Sequence, residues 1–325
     1  MYLILYYFRK KLNNNNNMKN KTSIIASLIA IFTLISCGSD SDSFNPYKDQ
    51  TKMPIYPKSL SFRSINNDGA TTYENWTFQY NNDSTIKSYT YEHSITSDTE
   101  TIKENKQGSL RYYVDYTGSR CIENTVYSKY SSKRGINTLV YTDTITENVK
   151  LIGSTISAIN TSGWRTTNGV IETISNNRTF TYANDYCTSS TFNDKTNEIS
   201  YTYKWNGDRL VRVTVHKQSK ESSNMTNDTY NYTYSRKDIA KDYDFNLLAF
   251  VYAHNPEIYS AMNLFGKVTP YKLESKEYES YGMRNGREYE LESELHSFSI
   301  MEDSNTVTIM TDSPGYSEYI YIFQR

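Results

Sequence analysis

Apolar and polar side chains alternate along most of this chain. Between Tyr201 and Val215, an aromatic residue occupies every second position of the first arm, and a valine occupies every second position of the second arm. A period of two places the apolar side chains on one face of a β-strand and the polar side chains on the other. The pair Asn206-Gly207 readily adopts the positive φ angles of a tight turn, so this segment predicts a β-hairpin.

Similar arms and turns recur at unequal intervals. One copy runs from Trp76 to Tyr91, and another begins at Trp164 and turns at Asn168-Gly169. The unequal spacing favours a meander of hairpins over a solenoid or a propeller. The 32 tyrosines, against 12 phenylalanines, suit a sheet whose faces are only partly buried. Residues 55–325 therefore predict one mainly β domain, built as a single antiparallel β-meander.

The alternation is lost once, near residues 244–265. Asn255-Pro256 supplies a helix cap followed by a proline at the first helical position, and Gly266 lies where a helix would end. Helical spacing relates four apolar residues, namely Ile258, Tyr259, Met262 and Phe265. We predict a short helical insertion that plugs or caps the sheet.

The amino-terminal region has the order of parts of a secretory signal peptide. Lys19 and Lys21 precede an apolar run from Ile24 to Ile35, which is too short to span a bilayer comfortably. The sequence Leu-Ile-Ser-Cys that ends at Cys37 resembles a lipobox, the site at which bacterial lipoprotein processing acylates a cysteine and cuts before it. The resemblance implies that Cys37 is lipidated and becomes the first mature residue. The alternative is an ordinary signal peptide with a chance cysteine.

These features divide the chain into four parts. Residues 1–17 are interpreted as an over-long gene start, residues 18–36 as the lipoprotein signal peptide, residues 37–54 as a flexible tether and residues 55–325 as the β-domain. The short acidic run after Cys37 resembles the export signals of surface lipoproteins in Bacteroidetes. We therefore expect a lipid anchor in the outer membrane and a position on the cell surface, with the periplasmic face as the alternative.

Charge and cysteine content narrow the class further. The chain has 35 basic and 36 acidic residues and a formal net charge of −1, so no nucleic-acid partner is expected. Apart from Cys37, the chain contains Cys121 and Cys187. An oxidising compartment permits a disulfide between them, but nothing in the sequence fixes their distance, and two unpaired thiols are the alternative.

The hairpins and the late part of the chain together resemble a known family. The motifs are the Tyr-x-Tyr arms, the Asn-Gly-Asp-x-Leu turn, and a block that runs from Tyr234 through Asp244-Phe-Asn-Leu-Leu248 and Leu264-Phe-Gly-Lys267 to Pro270. They are similar to those of uncharacterised Bacteroides-type lipoproteins. The resemblance covers most of residues 55–325 and implies an open, curved, porin-like β-sheet. It implies no catalytic activity.

Catalytic and metal-binding motifs are absent from the sequence. The four histidines are far apart, and no nucleophile elbow or phosphate-binding glycine loop occurs. We therefore predict no catalytic residues, no metal and no cofactor, which favours a binding protein over an enzyme. Glu290, Glu292 and Glu294 alternate along one strand and are expected on one face, as a solvated surface or, alternatively, as cation ligands or an acid and base.

The candidate ligand-binding residues are three tryptophans that lie at the ends of hairpin arms: Trp76, Trp164 and Trp205. Exposed indole rings cover a sugar or peptide face with little loss of rotamer entropy, whereas the alternative role is core packing. The sequence thus predicts a monomeric surface lipoprotein that binds a glycan, a peptide or an outer-membrane partner. The alternative is a secreted hydrolase that acts on an extracellular polymer.

Overall fold

The computed structural model describes residues 57–65, 69–222, 225–238, 258–262, 264–267, 269, 271–284, 287–302, 306–311 and 316–323. These residues belong to one compact unit of the chain, Ser43–Arg325. Cys37, the predicted signal peptide and tether, and the first part of the predicted helical insertion, residues 244–257, lie outside the described residues.

Sixteen β-strands and one short helix account for nearly all of the described chain. The strands are β1 (Pro57–Ile65), β2 (Thr71–Tyr80), β3 (Ile86–Thr96), β4 (Glu100–Val114), β5 (Arg120–Arg134), β6 (Asn137–Ile152), β7 (Thr155–Thr167), β8 (Val170–Ala183), β9 (Tyr186–Asn193), β10 (Asn197–Asn206), β11 (Arg209–Ser219), β12 (Met225–Asp238), β13 (Tyr271–Arg284), β14 (Arg287–Glu302), β15 (Thr306–Thr311) and β16 (Tyr316–Phe323). The helix α1 (Ile258–Ala261) lies between β12 and β13.

Each strand pairs antiparallel with the strand that follows it, so the predicted single antiparallel meander is confirmed. The sheet curves until its two edge strands meet. Phe62 of β1 pairs with Tyr319 of β16, and the pairing continues to Ile65 and Tyr316. This pairing satisfies backbone groups of β1 and β16 that unpaired edges would expose.

The alternation along the strands separates an inner face from an outer face. Residues paired across strands share a face, and the row Leu60, Trp76, Tyr91 is buried throughout. The opposite face of the same strands carries exposed Thr77 and Thr90. The inner face therefore forms the core, and polar side chains such as these threonines lie on the outer face.

A plug segment, which we define as the described residues from Ile258 to Thr269, fills the inner face at one end of the sheet. Its buried apolar side chains are Ile258, Tyr259, Met262 and Leu264. Because this segment follows an even-numbered strand of a meander, it lies at the same end of the sheet as Pro57, where the described chain begins.

Hydrogen bonds tie the plug segment to the turns at that end. Leu264 accepts a hydrogen bond from the backbone N–H of Ile156, and the N–H of Lys267 donates to the carbonyl of Asp185. The Tyr259 hydroxyl donates to Glu147 at 2.6 Å. The described part of the predicted insertion therefore does plug the sheet, although its helix is only four residues long.

Cys121 and Cys187 are both buried free thiols. They lie on β5 and β9, which are separated in the sheet by β6, β7 and β8. Burial raises the pKa of the Cys187 thiol to about 12, so this group is held as an unreactive thiol. Of the two alternatives that the sequence left open, the structure shows the unpaired one.

The hairpin between β10 and β11 differs by one residue from the predicted turn. Asn206 pairs with Arg209, so the two turn residues are Gly207 and Asp208 rather than Asn206 and Gly207. Gly207 has a φ of +61°, as a glycine in the first position of a type II′ turn does. The Asn168-Gly169 turn is confirmed, with φ angles of +51° and +81°.

We predict that Gly207→Val destabilises the protein by about 1–3 kcal/mol, because a β-branched residue is strained at positive φ. Gly207→Asn is the matched control, since asparagine tolerates this conformation far better. Denaturant unfolding of the two variants measures the difference. Equal midpoints for valine and asparagine would show that the backbone at this position is not left-handed.

Candidate functional site

Charged and aromatic side chains gather on the inner face beyond the plug segment. Two neighbouring rows of the register carry them across β2 to β7. We define the inner band as Glu74, Tyr91, His93, Glu104, Lys106, Tyr130, Tyr141, Asp143 and Arg165. Neighbouring members come from strands that are adjacent in the sheet, although they are up to 26 residues apart in sequence, as Glu104 and Tyr130 are.

The half of the inner band on β2 to β4 is organised around Tyr91. The Lys106 ammonium lies 5.0 Å from the centre of the Tyr91 ring and 3.3 Å from a carboxylate oxygen of Glu104. The imidazole of His93 stacks on Tyr91, with ring centroids 6.2 Å apart and an interplanar angle of 18°. The Tyr91 hydroxyl is hydrogen-bonded to Glu74. Tyr91 thus contacts three ionisable side chains, and Glu104 joins them through Lys106.

The half on β5 to β7 is organised around Arg165. Its guanidinium donates two hydrogen bonds to Asp143, each 2.8 Å long, and lies 3.9 Å from the centre of the Tyr141 ring. Tyr130 stacks on Tyr141 with ring centroids 4.6 Å apart and an interplanar angle of 15°. A bidentate pair and a cation–π contact together fix both the position and the plane of the guanidinium.

Water reaches these side chains. The exposed fraction is 35% for the Lys106 side chain and 38% for the Arg165 side chain, although both lie on the inner face. By contrast, Asn124 and Val149, which lie on the inner face nearer the plug segment, are fully buried. The interior is therefore packed at the plug end and accessible at the inner band, as a ligand site requires.

Burial shifts the pKa of two members of the inner band toward their neutral forms. The pKa of Glu74 is raised, chiefly by burial and further by Glu104, while Lys106 opposes the shift. The pKa of His93 is lowered, again chiefly by burial. Both groups favour the uncharged state because a partly buried charge loses hydration.

The opposite wall carries a second polar cluster on β11 to β14. Asp228 is almost fully buried, accepts a 2.7 Å hydrogen bond from Ser280, and lies 2.6 Å from the Lys217 ammonium. This arrangement pairs the buried carboxylate and gives it a structural role. Glu294 lies 2.8 Å from a ring nitrogen of His296.

The prediction that three glutamates of β14 share one face is wrong for Glu290. Glu292 pairs with Ser280 and Glu290 pairs with Tyr281, so an extra residue of β14 lies between two consecutive residues of β13. This bulge reverses the direction of the side chains. Glu292 and Glu294 consequently lie on the inner face, and Glu290 lies on the other.

The structure does not bring the three candidate tryptophans together. Trp76 is buried on the inner face, with its ring centroid 4.6 Å from that of Tyr91. Trp205 is partly buried near the plug end, where its indole N–H donates to the carbonyl of Cys187. Trp164 lies on the outer face with 49% of its surface exposed. Their role in ligand binding stays a prediction, and Trp164 alone has a free indole face.

No group of three or more His, Cys, Asp or Glu side chains within the described ranges is placed to hold a metal ion. No helix in the described part of the chain is long and apolar enough to cross a membrane.

The fold is similar to that of two solved bacterial proteins. One is a porin-like protein from Bacteroides vulgatus ATCC 8482, with 12% sequence identity, a TM-score of 0.51, and coverage of 83% of this chain and 99% of that chain. The other is a porin-like protein from Bacteroides uniformis ATCC 8492, with 11% identity, a TM-score of 0.47, and coverage of 84% and 98%. No protein-family model and no curated protein matches this chain. The expected porin-like sheet is confirmed, whereas membership of the lipoprotein family stays a prediction.

We predict that Trp76→Ala lowers the stability of the protein strongly and that Trp164→Ala hardly changes it. Loss of the buried indole of Trp76 should cost about 3–5 kcal/mol of unfolding free energy because it leaves a cavity among packed rings. Loss of the exposed Trp164 should change the free energy by less than about 0.5 kcal/mol. Chemical denaturation of both variants checks this. A large loss for Trp164→Ala would mean that the outer face of β7 is covered.

Proposed function

We propose that this protein is a lipid-anchored surface protein that binds a polar ligand on the inner face of its sheet. The inner band carries the proposal. Its aromatic rings and hydrogen-bonding groups converge from six strands on a part of the interior that water reaches. Sites for small ligands combine such rings with a few polar groups that are held in fixed positions.

The anchor and the location are supported by the amino-terminal sequence and by the similar folds. The lipobox-like sequence that ends at Cys37 supports lipidation, and the name of the Bacteroides structures, porin-like, supports an association with the outer membrane. The outer face supports a position in water, since its exposed residues include Thr77, Thr90 and Lys129. The described chain enters the sheet at the plug end with Pro57, so the accessible end is the opposite end of the sheet.

Cys37→Ala should move the protein from the membrane fraction to the soluble fraction, because the thiol is the atom that lipid processing acylates. Fractionation in high salt separates a lipid anchor from electrostatic adsorption. Cys121→Ala is a matched control that leaves the anchor intact. Retention of the Cys37→Ala protein in the membrane fraction would contradict the lipoprotein assignment.

The binding function can be tested with two arginines on opposite faces, each of which contacts one carboxylate and one tyrosine ring. Arg165 pairs with Asp143 and covers Tyr141 on the inner face, whereas Arg111 pairs with Glu123 and lies 4.9 Å from the Tyr113 ring on the outer face. The polypeptide from residue 38 to residue 325 is screened on arrays of glycans and peptides.

Arg165→Ala should weaken binding of the ligand that the screen identifies by about 1–3 kcal/mol, while Arg111→Ala should leave it unchanged. Weaker binding by Arg111→Ala with unchanged binding by Arg165→Ala would contradict a ligand site on the inner face. Absence of any ligand on the arrays would contradict it as well.

The hydrolase alternative is supported by one observation. Glu74, His93 and Glu104 are consecutive members of one row, so two carboxylates with different surroundings lie on the same face two strands apart. Such pairs can divide the roles of acid and base. Product analysis of the bound ligand in the same assay separates the two functions, because a binding protein releases the ligand intact.

A further inference from the structure

The inner band has two pairs of aromatic rings on either side of β4, and we call the space between these pairs, over the Lys106–Glu104 ion pair, the gap. One pair is Tyr91 with His93 on β3, and the other is Tyr130 with Tyr141 on β5 and β6. We infer that an uncharged sugar ring binds in this gap, over the lysine and glutamate of β4. This inference rests on the proposed function, because it names the ligand class of the same site.

The width of the gap suits one ring. His93 and Tyr130 are both paired with Glu104 in the register, so they face each other across β4 at the same level of the sheet. Neighbouring strands lie about 4.8 Å apart, which places β3 and β5 roughly 10 Å from each other. Because stacked rings lie about 4.5–7 Å apart, a single ring fits between the two strands.

The aromatic pair on β5 and β6 leaves one ring face available. Arg165 on β7 covers one side of Tyr141, and Tyr130 on β5 covers the other side. The stack of Arg165, Tyr141 and Tyr130 therefore runs from β7 through β6 to β5, which is the neighbour of β4. It ends at Tyr130, which is partly exposed. The π face of a tyrosine is negative, and one face of a pyranose ring presents polarised C–H groups, so the two surfaces are complementary.

Four charged side chains of the inner band form two ion pairs. Lys106 is paired with Glu104, and Arg165 is paired with Asp143. An anionic or cationic ligand would have to break one of these pairs. Sugar hydroxyls can instead donate to the carboxylates and accept from the ammonium without displacing either partner. Burial raises the pKa of Glu74, whose carboxyl is hydrogen-bonded to the Tyr91 hydroxyl, and lowers the pKa of His93. The band therefore suits a neutral, polyhydroxylated ligand.

Trp76 supplies a further donor beside the gap. It follows Glu74 on the inner face of β2 and contacts the ring of Tyr91. Its indole N–H is buried and has no acceptor among the described residues. A buried donor without an acceptor is costly, so a hydroxyl oxygen of a bound ligand would stabilise it.

The test compares oligosaccharides of the same linkage and length that differ in one substituent, which is neutral in one member and charged in the other. A glycan array first selects neutral ligands of the 38–325 polypeptide. Titration calorimetry then compares matched hexamers, such as β-1,4-mannose against β-1,4-mannuronate, and N-acetylglucosamine against glucosamine. We expect the protein to bind a neutral hexamer and to bind its charged counterpart at least about tenfold more weakly. Tyr130→Ala should weaken neutral binding roughly tenfold or more, and Tyr127→Ala, on the outer face of the same strand, should not.

Glu104→Gln provides a second readout that does not depend on the removal of a ring. It leaves Lys106 without its partner, so the variant should gain affinity for the mannuronate hexamer. If the parent protein prefers charged glycans or peptides, the assignment of a neutral sugar is overturned, whereas the proposed binding function is retained. Absence of any ligand on the glycan and peptide arrays would overturn both. If Glu104→Gln keeps the parent's preference for the neutral hexamer, Lys106 and Glu104 do not line the ligand site.

Discussion

A curved sheet of sixteen strands encloses more interior than its own side chains can fill. About eight strands give an interior that side chains fill, and about sixteen leave room for water. This chain meets the constraint with the segment between β12 and β13. Tyr259, Met262 and Leu264 fill the space at one end, and backbone hydrogen bonds to Ile156 and Asp185 hold the segment in place. The remaining interior stays accessible, and the inner band lies there.

The alternation of side chains explains why the charged groups of the inner band lie inside. At the plug end, most inward positions are apolar or aromatic because they are packed, as Ile122 and Val149 are, and the polar Asn124 and Glu147 are hydrogen-bonded to each other. Farther along the same strands, inward positions contact water, and charged residues such as Lys106 and Arg165 become acceptable there when they are paired. The polar interior is therefore a consequence of where the plug ends. Its paired charges and stacked rings make it a preorganised surface.

The sequence predicted the hairpins well because their signals are local. The Asn168-Gly169 turn and the arms around Gly207 follow directly from residue type and a period of two. The turn at Asn184-Asp185, which also has two positive φ angles, was missed because neither residue is glycine. Bulges likewise leave no clear signal in the sequence. The bulge in β14 places Glu290 on the face opposite Glu292 and Glu294.

The inner band could not be found in the same way. Alternation assigns each residue to a face, but only the register decides which residues share a row. Glu74, His93 and Glu104 meet because the turn between β2 and β3 and the turn between β3 and β4 fix that register. The face on which Trp164 lies could be predicted. It comes five residues after the buried Ile159, and an odd separation along a strand places two side chains on opposite faces.

The central claim is that ligand binds the inner face and not the outer one. Hydroxyl-radical footprinting read by mass spectrometry tests it most directly, because inner and outer tyrosines lie close together on β5. In the free protein, Tyr130, Tyr141 and Tyr127 should all be oxidised, since all three have exposed surface. Bound ligand should protect Tyr130 and Tyr141 and leave Tyr127 unchanged. Protection of Tyr127 with no change at Tyr130 would contradict the account.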